Sequence, residues 1–160
     1  MPGKSQSVLL AGVAVGVIVT LFSFIPVLGG CLGCIAYLIA GGLAVWHYAN
    51  TYELTVLGGT GAGMGAVAGV LAGIVSGLIG WLFEVSGLRP SAADQMMKAL
   101  ENSNLSPEQM DQFSSMFTSP VFWVVLVGVG LIIGAIVGAI GGAIGASMFK
   151  RGPEPSSDVI

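Results

Sequence analysis

The chain has 160 residues, 54% of them hydrophobic and only 8% charged, with a net charge of −3 and a mean hydropathy of +0.92. A soluble domain carries about 25% charged residues, so this composition excludes a water-soluble globule, and the acidic balance offers no basic surface for nucleic acid. Charge-free runs extend over 5–46, 54–83 and 112–149; because about twenty apolar residues cross a bilayer as a helix, the chain reads as an all-α integral membrane protein.

Residues 1–7, with Lys4, form a short cytoplasmic tail before a first helix over about 8–28. The segment Leu28-Gly29-Gly30-Cys31 resembles a lipoprotein cleavage box. However, a second apolar helix follows it directly, and the preceding apolar stretch is long for a signal peptide. Processing at Cys31 is therefore not expected. Pro26 and Gly29-Gly30 break the first charge-free run into a tight turn, and a second helix covers about 31–48. It opens on Cys31-Leu-Gly-Cys34 and closes on Trp46-His47-Tyr48. Two thiols cannot close a structural zinc site, which takes four ligands, but a thiol pair allows redox chemistry. His47 reads as part of an aromatic belt with Trp46, Tyr48 and Tyr52; as an axial ligand it would hold a haem or a chlorophyll-type pigment.

A third helix spans about 56–83. Its opening, "VLGGTGAGMGAVAG", nearly matches a dinucleotide-binding glycine loop, which needs a strand before it and a second βα unit after it. Neither is present. Instead Gly61, Gly65, Gly69, Gly73 and Gly77 recur every fourth residue, beside Ala68, Ala72, Ser76 and Gly80. A fourth helix, over about 120–149 with Pro120 in its first turn, repeats the device. Gly130, Gly134, Gly138, Gly142 and Ala146 form one row, and Ala135, Ala139, Ala143 and Ser147 another. Residues four apart share a helix face, and in lipid close backbone approach brings helices together. The rows predict glycine-zipper packing in a four-span antiparallel bundle, with Gly77 level with Gly130 and Gly61 level with Ala146. Packing within one chain accounts for the rows; a homo-oligomer or pore built on the second row is the alternative.

The connection 85–119 reads as an amphipathic outer loop of two short helices, the second opened by Ser106, Pro107 and Gln109 as a capping box. Residues 150–160 form a polar C-terminal tail. Lys4, Lys150 and Arg151 lie on the side of the termini, against Arg89 and Lys98 in the loop. The positive-inside rule therefore places both termini in the cytoplasm.

In outline the chain resembles the quinone-linked thiol oxidases of the DsbB type, four-helix membrane proteins with a C-x-x-C opening the second helix. That resemblance implies Cys31 and Cys34 as a quinone-proximal pair. The chain departs from the type in having no cysteine in 85–119 and no arginine after the C-x-x-C. Three stretches together carry a broader resemblance: "IPVLGGCLGCIAYLIAGGLAVWHY", the glycine-rich third helix, and "LSPEQMDQF" followed by "SPVFW" and "GAIVGAIGGAIGASMFKR". Over most of its length the chain is similar to a loose group of bacterial four-helix, glycine-rich integral membrane proteins, a domain of unknown function. The group implies the topology and a bacterial inner membrane. The sequence thus favours a structural, scaffold or accessory subunit among membrane lipids and other membrane subunits, with no resident cofactor. A small oligomeric channel or transporter and a thiol–quinone oxidoreductase are the alternatives.

Overall fold

A computed structural model describes residues 3–22, 29–88, 90, 94–95, 97–98, 108, 115–116, 119–150 and 152. The long helices among the described residues are α1 (Lys4–Phe22), α2 (Gly29–Tyr52), α3 (Gly58–Val85) and α4 (Pro120–Met148). Among the described residues there is no strand. Three helical segments, Lys4–Leu21, Gly58–Val85 and Val121–Met148, are long and apolar enough to cross a membrane. The chain is a membrane-spanning protein. Only described residues enter that comparison, and the side chains at 29–32, which open α2, lie outside them.

Burial is inverted relative to a soluble fold. The side chains at 0–2% exposure are mostly alanines, namely Ala11, Ala40, Ala44, Ala49, Ala68, Ala72 and Ala146, and Val45 is the largest fully buried one. The large apolar side chains point outward: Ile132, Ile136, Ile140 and Ile144 are each at least half exposed. These isoleucines lie two positions from Gly134, Gly138 and Gly142, on the opposite face of α4. A protein in water does not leave so large an apolar surface uncovered, whereas lipid solvates it at no cost.

Several helix bounds differ from the sequence expectation. α1 begins at Lys4 rather than near 8. The polar turn Lys4–Ser7 stays helical because Ser7, 1% exposed, is buried against α2. The expected end of the first helix, at 23–28, lies outside the described residues. α2 runs on to Tyr52, not 48, with Tyr48 and Tyr52 tilted against each other at a ring-centroid distance of 5.1 Å. It stops in a Schellman-type turn, in which Glu53 takes a φ of 50° and the Leu54 N–H donates to the Ala49 carbonyl at 3.3 Å. Glycine or asparagine is usual at such a position, so the sequence carries no stop signal there. α3 starts at Gly58 and continues to Val85. It closes with Gly87 at φ 73° and the Leu88 N–H on the Phe83 carbonyl at 3.0 Å.

The chain divides into two compact units, 1–79 with 131–160, and 80–130. In the first unit the packing partners define the order of the helices. Ser7 of α1 meets His47 of α2. Gly12 of α1 faces Ala68 and Leu71 of α3, and Gly16 faces Ala72 and Val75. Four residues further along α1 thus lie four residues further along α3, so these two helices run parallel. Gly61, Gly65 and Gly69 of α3 meet Gly142, Gly138 and Gly134 of α4, an antiparallel pair. Leu38 and Gly41 of α2 approach Gly141 and Gly138 of α4, while Gly42 and Val45 approach Gly145. The helices close a ring in the order α1–α3–α4–α2. Consecutive helices are antiparallel, and α1–α3 and α2–α4 are parallel neighbours.

The second unit holds the last turn of α3 and the first turns of α4. Trp81, Leu82 and Val85 are exposed there. Phe122 and Trp123 stand edge to face, their centroids 6.0 Å apart. The two amphipathic helices expected in 85–119 fall mostly outside the described residues.

Candidate packing site and the positions of the predicted residues

Three helices of the first unit meet at Gly138. A Cβ built on Gly65 of α3 would collide with the Gly138 carbonyl and stand 2.9 Å from the Gly142 Cα. A Cβ on Gly41 of α2 would collide with the same carbonyl and stand 2.7 Å from the Gly142 N. Real Cβ atoms essentially never approach below 3.0 Å, so no side chain fits at these positions. On one side of this point a Cβ on Gly61 would stand 2.6 Å from the Gly142 oxygen and 2.7 Å from the Ala146 Cβ; on the other Gly69 faces Gly134. Backbone lies on backbone, the geometry by which small residues hold helices together in lipid.

The structure therefore brings together Gly61, Gly65 and Gly69 with Gly134, Gly138 and Gly142. It treats the rest of the predicted rows differently. A Cβ on Gly73 would touch only side chains, Leu131 at 3.2 Å and the Tyr37 hydroxyl at 3.5 Å. Among the described residues, a Cβ at Gly77 meets nothing within 4 Å, nor does one at Gly130. The sequence reading missed Gly41, Gly42, Gly141 and Gly145, which form the α2–α4 contact. It also missed Tyr37, whose ring fills the space beside Gly73 and Gly134. A glycine pair on a helix facing another glycine pair was the available signal.

His47 is tied to α1: its Nδ1 lies 2.9 Å from the Ser7 hydroxyl. The bond joins two helices and fixes their register near the end of the unit where α1 begins and α2 ends. Cys34 is a free, exposed thiol, and the Cys31 side chain lies outside the described residues. No group of three or more His, Cys, Asp or Glu able to hold a metal occurs among the described residues. Thr20, Ser76 and Ser147 each donate to a carbonyl of their own helix, at 2.9, 3.1 and 2.7 Å, which satisfies them inside an apolar medium.

The chain after α4 is anchored. Thr55, 5% exposed, donates to the Gly152 carbonyl, and the Gly152 N–H lies 3.3 Å from the same hydroxyl. A Cβ on Gly152 would collide with the Glu53 carbonyl, so this glycine is required by close approach. The rest of the expected tail, 151 and 153–160, lies outside the described residues. Lys150 borders a recess of about 200 Å³ with Thr55, Gly58 and Ser147. Compared with protein-family models, with curated proteins and with solved structures, the chain matches none.

Proposed function

We propose that this chain is a four-span protein of the bacterial inner membrane, with both termini in the cytoplasm and a glycine-zipper bundle. Its role is that of a structural or accessory subunit of a membrane assembly. The observation that carries this reading is the core of the first unit, in which alanine, glycine and helix backbone predominate beside a few valines, Tyr48 and Met64, with most large apolar side chains turned outward. A core packed this closely holds a shape and presents surfaces. α2 counts as the fourth span because its small-residue face lies along α4, itself a span, through Leu38, Gly41 and Gly42. Pairing along that length keeps it at the depth of its partner. The Lys and Arg balance supports cytoplasmic termini.

The small-residue rows support one chain over a pore. Ala68 and Ala72 of α3 lie beneath Gly12 and Gly16 of α1, and Gly141 and Gly145 of α4 lie against α2. The row of α3 beside its glycines is thus taken up within the chain, which supports packing within one chain over a pore. A second reading, thiol–quinone oxidoreduction by Cys31 and Cys34, rests on the exposed, free Cys34. Purification of the tagged protein in a mild detergent tests the main reading. Other polypeptides should copurify in fixed ratio; a chain that emerges alone, or only with copies of itself, refutes the accessory role. Cys34→Ser that lowers disulfide formation in the cell would move the assignment to the enzyme.

A further inference from the structure

Three hydroxyls, from three different helices, gather at one level of the first unit. Gly134 is the midpoint of α4 and Gly73 lies near that of α3, so about 20 Å of helix separates each from either end. Tyr37 of α2 reaches into this level. Its ring crosses Gly134, where a Cβ would stand 3.5 Å from the Tyr37 Cε1, and its hydroxyl lies 3.5 Å from where a Cβ on Gly73 would be. Ser76 donates back to the Gly73 carbonyl at 3.1 Å. Gly16 of α1 faces Ala72 and Val75; because α1 and α3 run parallel, Thr20, one turn further on, comes level with Ser76. Thr20 is satisfied by the Gly16 carbonyl at 2.9 Å.

The Tyr37 hydroxyl differs from the other two. Among the described residues it has no hydrogen-bond partner, yet no enclosed side-chain oxygen or nitrogen there lacks one. Its oxygen is therefore open to a water-sized space. The missing side chain of Gly73 supplies the room. Among the described residues outside its own helix backbone, only the Tyr37 hydroxyl and the flexible end of Leu131, at 3.2 Å, come within 4 Å of a Cβ there. Lipid offers a hydroxyl neither donor nor acceptor, so leaving it unpaired at this depth is costly. Ser76 has committed its proton to Gly73 but keeps its lone pairs, and the Gly73 carbonyl has a second one. A water molecule needs two to four polar partners, and Tyr37, Ser76 and the Gly73 carbonyl make three. All are neutral, so an ion would enter uncompensated, and the space of one side chain is too small for an organic ligand.

We propose that one water molecule binds beside Gly73 at the middle of the membrane, accepting from the Tyr37 hydroxyl and donating to the Ser76 oxygen or the Gly73 carbonyl. It ties α2 to α3, which are not neighbours in the ring. The site rests on the reading that α2 crosses the bilayer. Magic-angle-spinning NMR of the full chain in phospholipid bilayers tests it, with the three tyrosines carrying carbon-13 at Cζ and magnetisation transferred from water. Tyr37→Phe identifies the Tyr37 signal by its loss. In the wild type Tyr37 should receive magnetisation from water, while a gadolinium chelate dissolved outside the membrane broadens Tyr52 and leaves Tyr37 sharp. Gly73→Ala fills the space with a methyl and should abolish the transfer to Tyr37 without moving the Tyr48 and Tyr52 signals. Ser76→Ala keeps the space, removes one partner and should weaken the transfer.

A wild-type Tyr37 signal that stays sharp and receives nothing from water overturns the site alone, and this result needs no variant. Undiminished transfer in Gly73→Ala, or in Ser76→Ala where Gly73→Ala does not fold, overturns it as well, because Tyr37 is then wetted by another route. Broadening of Tyr37 by the chelate removes instead the fourth span on which the site depends.

Discussion

Substituting Gly65 by alanine puts the packing account to a quantitative test. The added methyl would lie 2.9 Å from both the Gly138 carbonyl carbon and the Gly142 Cα, half an ångström inside the 3.4 Å at which ordinary contact begins, and closer still to the Gly138 oxygen. Neither neighbour is a side-chain end that can swing away, so α3 and α4 must separate. A gap of 0.5–1 Å forfeits about a quarter to a half of each dispersion contact along the seam, and forcing a methylene into a packed core costs about 1–3 kcal/mol. Alanine's better helix propensity returns at most about 1 kcal/mol. The expected net loss is about 1–2 kcal/mol. Gly77→Ala supplies the contrast, because its methyl would meet nothing within 4 Å; propensity alone then makes it neutral or more stable by up to about 1 kcal/mol. The two variants should differ by about 2 kcal/mol, or roughly thirtyfold in the folding equilibrium. Reversible unfolding from mild detergent into increasing SDS, followed by circular dichroism, reads this difference. Gly65→Ala as stable as wild type, or Gly77→Ala the more damaging, would refute the backbone-contact reasoning.

Three further outcomes follow from single contacts. A double-mutant cycle of Ser7→Ala and His47→Ala should give a coupling of about 0.6 kcal/mol and no more than about 1.7 kcal/mol, the range for interhelical hydrogen bonds in membranes; zero coupling in the same unfolding assay would contradict the Ser7–His47 bond. Glu53→Gly should raise stability by up to about 1 kcal/mol, because it relieves a side chain held at φ 50° in the left-handed region; a loss would show that the Glu53 side chain makes a contact worth more than the strain. Thr55→Val removes both hydrogen bonds to Gly152 and should cost about 0.5–1.5 kcal/mol. It should also speed proteolysis of the segment after α4, and unchanged cleavage would deny the anchor.

The glycine periodicity was legible in the sequence because a packing face in lipid is defined by the absence of Cβ, which residue identity records directly. Where the contact stops was not legible. Gly73 continues the row, yet its neighbours are the Leu131 and Tyr37 side chains instead of backbone, and no pattern within one helix encodes that. The order α1–α3–α4–α2 was hidden for a similar reason, since a strip of small residues fits any other such strip. His47 was read with the aromatic residues beside it, although its partner, Ser7, lies forty positions away in a stretch taken for a tail. That same bond carried α1 back to Lys4. Glu53 ended α2 against its own backbone preference, so no sequence rule for helix ends could have placed the boundary.

Single-cysteine accessibility in intact cells tests the four-span bundle most directly. Cysteines introduced at Ser5, Thr51 and Ser86, in a background with Cys31 and Cys34 replaced by serine, would be labelled with a membrane-impermeant maleimide before and after opening the membrane. The account predicts that Ser5 and Thr51 are reached only after opening and that Ser86 is reached before. Labelling of Thr51 on the side opposite to Ser5 would contradict it, because α1 and α2 could not then return the chain to the side on which it began.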